Sequence, residues 1–214
     1  MKEIFTVIIP YVLEGLPVTL AASALALAGG FVFGLLMALL RVYGGQVMRR
    51  ILMLIGTVFR SVPQVVLLML VYFVITGSIN VSAFGASVFS LGLISSVYQM
   101  EIFRAALESI DHGQMMAART LGMTKFQAIF KIVLPQALRR ALPPWSNEVV
   151  SIIKSSPLVY QLGVPEMLRR GQYIIARTRQ PFPTYISLAV LYFILIFTCN
   201  AVLRKIENKT RVPQ

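Results

Sequence analysis

Three residues, Glu101, Lys154 and Ser61, combine a reactive type with an unusual setting. From Ser61 to Met100 no residue is charged, and Glu101 follows directly on that run. A carboxylate near the middle of a bilayer costs on the order of 3 kcal/mol unless it faces a cavity or a partner. Lys154 interrupts a second apolar stretch, SNEVVSIIKSS, and brings the opposite charge. Ser61 stands two residues before Pro63. Proline inside a membrane helix removes a backbone bond and frees a carbonyl, which is tolerated where the break is buried or lines a wet cavity. One buried group of each sign beside freed backbone groups is the least that could hold a zwitterion. The same residues allow a plainer arrangement, a Glu101 to Lys154 ion pair that only joins two helices. Arg104 and Glu108, spaced i, i+4, read as a surface pair.

The elements that position these groups are membrane helices. Of 214 residues, 57% are hydrophobic and 13% charged, with a mean hydropathy of +0.77, which describes an all-α integral membrane protein. At roughly 20 apolar residues per span, one domain over 1–214 holds about five transmembrane helices and short loops, with no room for a soluble catalytic domain. The chain is therefore not expected to be an enzyme. Its net charge of +12 lies in basic residues between and after apolar runs, where lipid phosphates and topology explain them better than nucleic acid. A single cysteine, Cys199, and a single histidine, His112, make neither a disulfide framework nor a metal site. No GxxxxGK phosphate loop is present, so ATP is not expected on this chain.

In chain order, Lys2 followed by Glu3 and a long apolar run do not read as a cleaved leader. The first span covers Leu16 to Leu40, with Gly30 and Gly34 as a small-xxx-small packing pair. Arg41, Arg49 and Arg50 assign the loop after it to the cytoplasm, which sets the N-terminus outside. The second span starts near Ile51 and carries the Arg60 to Pro63 break, an uncharged turn around Asn80 lies outside, and the third span ends at Glu101 to Ile110. Pro143 and Pro144 mark entry to a fourth, polar span from Trp145 to Tyr160. Arg169, Arg170, Arg177 and Arg179 follow on the outer side against the charge trend, either on a short outer helix or on a partly re-entrant one. The fifth span, Thr184 to Leu203, ends at Arg204, Lys205, Lys209 and Arg211 in the cytoplasm.

Between the third and fourth spans, residues 111–136 are polar and basic. Ala117, Ala118 and Leu121 predict a short helix with a small face, and Gly122 falls where a left-handed stop belongs. Thr124 with Gln127 predicts a capping box on a second helix, which Pro135 should bend or end.

This stretch, with Ala118, Gly122, Ile132, Leu134 and Pro135, resembles the coupling loop of ABC importer permeases. FRSVP, YQMEIFRAALESI and NEVVSIIKSSPLVYQLGVPEMLRRG resemble segments of the permeases for polar amino acids. The likeness covers nearly the whole chain. It departs at Met116, where the family usually has an acidic residue, and at Ser155, where it usually has one after the lysine. The resemblance implies a multi-pass protein of the cytoplasmic membrane that carries a polar amino acid by alternating access. It also implies a second permease, a dimer of ATPase subunits holding ATP and Mg, and an extracytoplasmic substrate-binding protein. The short loop helix would dock on the ATPase through Gln114, Ala117, Ala118, Arg119, Gly122 and Lys125, and Glu101, Lys154 and Ser61 would contact substrate. The other functions open to this sequence are an ion-coupled carrier with Glu101 as its titrating group, and an assembly subunit without transport.

Overall fold

A computed structural model describes residues 7–210; Lys2, Glu3 and Arg211 lie outside them. The described chain is helical nearly throughout, and three of its stretches are long and apolar enough to cross a membrane. The first combines α1 (Ile9–Leu13) with α2 (Leu16–Tyr43), the second is α5 (Ala83–Glu108), and the third is α10 (Pro181–Thr210). Between α2 and α5, helices α3 (Gln46–Ser61) and α4 (Gln64–Ser78) qualify only as a pair, bent by 114° at Val62 and Pro63. The expected second span is thus a sharp elbow. Pro63 is its physical cause, since Pro disfavours the helical conformation in the residue before it, and Val62 is extended at φ −97°, ψ 136°.

The centre of the fold is the α2 to α5 contact, the most extensive between any two helices. Missing side chains make it possible. A Cβ on Gly34 would stand 2.8 Å from the Ser96 carbonyl oxygen, and one on Gly30 would stand 2.5 Å from Gln99 Nε2. Gly92 of α5 returns the favour, its Cβ position lying 3.4 Å from the Ala26 backbone. Close backbone approach of this kind replaces the hydrophobic drive that lipid removes. Ser82 caps α5 by accepting from the Gly85 N–H.

The segment after α5 departs from expectation at its prolines. The chain runs helical through α6 (His112–Thr120), α7 (Lys125–Ala128), a π-turn at Ile129–Val133 and α8 (Leu134–Ser155). Pro135 therefore ends nothing. The Leu134 N–H reaches back five residues to the Ile129 carbonyl, and the widened turn places Pro135 in the first turn of α8, where a missing N–H is tolerated. Pro143 and Pro144 lie inside α8, both exposed. This helix holds the expected fourth span, yet it is not among those apolar enough to cross alone. It gives way at Ser155 to a 3-10 turn over Ser156–Leu162, and α9 (Met167–Thr178) follows.

The α9 helix is tied to the N-terminal end of α2. The Met167 N–H donates to Thr19 Oγ1 at 3.2 Å, and a Cβ on Gly15 would lie 2.6 Å from the Met167 nitrogen. Glu166, fully buried, caps α9 by accepting from the Leu168 and Arg169 N–H groups, and it also accepts from the Tyr192 hydroxyl of α10. Burial pushes its carboxyl above the usual range, and these three donors pull the other way. Arg170 pairs with Glu14 and lies over the Tyr11 ring.

Candidate functional site

Glu101 faces arginine, not Lys154. Arg41 Nη1 donates to its Oε1 at 2.5 Å, Arg60 Nη2 lies 3.1 Å from the same oxygen, and Arg104 Nε donates to Oε2 at 3.0 Å. Arg104 also pairs with Glu108. The carboxylate thus joins α2, α3 and α5, with Gly56 leaving the space: a Cβ there would stand 3.0 Å from Glu101 Oε1. Three guanidinium groups thus converge on one carboxylate.

Lys154 is exposed and has no ion pair among the described residues. Ser61 is exposed and donates to the Thr57 carbonyl of its own helix. The expected Glu101 to Lys154 pair is therefore not made, and no hydrogen bond or ion pair joins Ser61 to either. The elbow does reach both neighbourhoods through other residues. Arg60, before it, meets Glu101, and Gln64, after it, accepts from the Ser155 hydroxyl at 3.0 Å.

A different polar cluster occupies the buried interior between α2, α5 and α8. Ser95, halfway along α5, donates to Glu148 Oε1 of α8 at 2.9 Å. Gln99 Nε2 donates to Ser95 Oγ at 3.0 Å and to the Leu27 carbonyl of α2 at 3.2 Å, while its Oε1 accepts from Trp145 Nε1 at 2.8 Å. Ser95 and Gln99 are wholly buried and Glu148 is 8% exposed. The second Glu148 oxygen accepts no hydrogen bond among the described residues, yet it is not a sealed, unsatisfied atom. It is an acceptor with surface access on an otherwise buried carboxylate. A carboxylate in this position can take an N–H from a cation. In the sequence, the signal for this cluster was the polarity of α8, where Asn147, Glu148 and Lys154 interrupt an apolar run; the partners Ser95 and Gln99 carry no charge to mark them.

The loop helices have the expected geometry at their joint. Asp111 caps α6 by accepting from the Gly113 N–H at 2.6 Å. Gly122 has φ +84°, the Gly122 N–H bonds to the Arg119 carbonyl, and the Met123 N–H bonds to the Ala118 carbonyl, which together form a Schellman stop. Thr124 and Gln127 form a reciprocal capping box. The two alanines diverge: Ala118 is buried at 5% exposure and Ala117 faces out. Gln114, Arg119, Gly122 and Lys125 are exposed, as are the apolar Met116, Leu121 and Phe126. Lys125 Nζ donates to the Tyr43 carbonyl at 3.3 Å, and Arg119 Nη1 donates to the Met123 carbonyl at 3.2 Å. His112 is exposed, and no cluster of metal-ligating side chains occurs among the described residues.

Residues 30–212 match the family described as binding-protein-dependent transport system inner membrane component. A glutamine transport system permease protein of Escherichia coli (strain K12) is 35% identical over 207 residues, covering 95% of this chain and 94% of that protein. A probable amino-acid permease protein of Bacillus subtilis (strain 168) is 35% identical over 190 residues, covering 87% and 85%. Among solved structures, an amino acid ABC transporter crystallised with histidines superposes with a TM-score of 0.83 at 33% identity, over 94% of each chain.

Proposed function

This chain belongs to the binding-protein-dependent transport system inner membrane component family, and on that premise we propose that it carries a polar amino acid through the cytoplasmic membrane by ATP-driven alternating access. It is the permease subunit of an ABC amino-acid importer. ATP and Mg would be held by a pair of partner ATPases, not by this chain. The remaining partners in this reading are a second permease and an extracytoplasmic protein that delivers the substrate. Closure of the ATPases would move the docked α6 helices, and that movement would re-aim the spans so that a central site opens first outward, then inward.

The observation that carries the substrate assignment is Glu148. It is a buried carboxylate level with the midpoint of α5, with one oxygen held by Ser95 and the other without a protein partner. An amino acid brings an ammonium group that such an oxygen can accept. The test is uptake of labelled amino acids by the reconstituted complex carrying Glu148→Gln, with Lys154→Met alongside. Glu148→Gln is expected to assemble and to lose uptake by about tenfold or more. Full uptake would remove Glu148 from the site, and full uptake by Lys154→Met would likewise remove Lys154.

A further inference from the structure

The four serines along the middle of α5 are not equivalent. Ser87, Ser90 and Ser96 donate to carbonyls of their own helix, those of Ala83, Ala86 and Leu93. Ser95 instead sends its proton across to Glu148. The reason lies two side chains away. An indole N–H only donates, so Trp145 Nε1 at 2.8 Å fixes which end of the Gln99 amide is oxygen. The NH2 end then has two protons, and the structure gives each an acceptor, the Leu27 carbonyl and Ser95 Oγ. With a donor on its oxygen, Ser95 turns its own proton toward Glu148. Ser95 and Gln99 are wholly buried, so a polar atom of either left unpaired costs more than a surface hydrogen bond returns. Gly30 keeps the amide in place, because any Cβ there would meet Gln99 Nε2 at 2.5 Å.

We propose that Trp145 and Gln99 are positioning residues that act through Ser95 to hold Glu148 as an acceptor aimed at a protonated nitrogen of the cargo. Neither needs to touch the cargo. The chemical class follows: the site selects an amino acid by its free ammonium group and rejects one whose nitrogen is acylated. This rests on the assignment of Glu148 to the cargo site.

The experiment uses the complete permease and ATPase complex in detergent. Radiolabelled L-amino acids, each of the common ones and L-cystine, are screened for saturable binding. The best binder is then compared with its N-acetyl derivative by competition. Trp145→Phe keeps a ring against Phe31, which it meets edge-on at 6.0 Å, and removes the N–H; Gln99→Met keeps length and removes the amide. Both are expected to weaken binding of the free amino acid about tenfold and to leave the N-acetyl derivative unchanged, and, in the same complex reconstituted in proteoliposomes, to retain maximal uptake at saturating cargo within about twofold. In a Glu148→Gln background, Gln99→Met is expected to add nothing. Equal weakening of both ligands, or additive losses in the double variant, would overturn the relay while leaving Glu148 in the site. Unchanged binding by Glu148→Gln would overturn the site assignment itself, and the relay with it.

Discussion

At the residue scale, charge type marked a group that needs partners better than it predicted which partners it meets. Glu101 stood out because nothing charged precedes it for so long, and it is indeed held by partners. Those partners are Arg41, Arg60 and Arg104, which come from two other stretches and from its own helix. Nothing in a linear sequence ranks Arg41 above Lys154 as a mate for Glu101, since the choice is made by how α2 and α3 lie on α5. Gly122 was legible, because a left-handed residue between two short helical patterns has a local cause. Its φ of +84° with no atom within 4 Å of a Cβ means that a substitution there is penalised by backbone conformation alone, by roughly 1–2 kcal/mol. Gly122→Val should therefore reshape the joint without a steric clash. The expected result in proteoliposomes is continued ATP hydrolysis by the complex with uptake reduced several-fold. Wild-type uptake would show that this joint does not transmit the motion.

At the scale of elements, the small residues of α2 decide the packing, and they do so selectively. Gly34 lies against the backbone of α5, whereas the neighbouring Gly29 has nothing within 4 Å of a Cβ. Gly34→Ala must push α2 away from Ser96 and is expected to lower stability by about 1–3 kcal/mol. Gly29→Ala should be neutral or slightly stabilising, by up to about 1 kcal/mol, from helix propensity. Thermal unfolding of the purified protein in detergent compares the two, and equal effects would contradict the close contact. The Gly30 and Gly34 pair was readable as a packing signal from its spacing. The elbow at Val62 and Pro63 was readable as a break but not as a 114° bend, because a proline marks where a helix stops and not the direction in which the next one leaves. Proline misled at Pro135, since a π-turn absorbs what an isolated helix could not.

At the scale of the whole molecule, α2 serves as the ruler. Its C-terminal end receives Lys125 of the loop at the Tyr43 carbonyl, and its N-terminal end receives Met167 of α9 at Thr19. The loop and the arginine-bearing α9 therefore sit at opposite ends of one membrane-long helix. The arginines that break the charge trend are partly accounted for: Arg170 is paired with Glu14, and Arg169 lies over the Tyr173 ring. Single cysteines at positions 49, 80, 125 and 170 in a Cys199→Ser background should label as two pairs, 49 with 125 inside and 80 with 170 outside. Labelling of 80 and 125 from the same side would be incompatible with this arrangement.

The poor hydropathy of α8 has a consequence for biogenesis. A helix that carries Glu148, Lys154 and two prolines cannot be sorted into lipid on its own merits. The surface able to admit it is formed by the Ser95 and Gln99 side chains of α5, which bond Glu148 and Trp145 in the folded chain. The order of synthesis supplies that surface first. Exchanging Ser95 and Gln99 together for alanine should therefore leave part of the newly made chain with α8 stranded at the membrane surface, open to protease added from the cytoplasmic side, while α2 and α5 remain protected. Full protection of α8 in that variant would mean that this segment enters the membrane without the help of its neighbours.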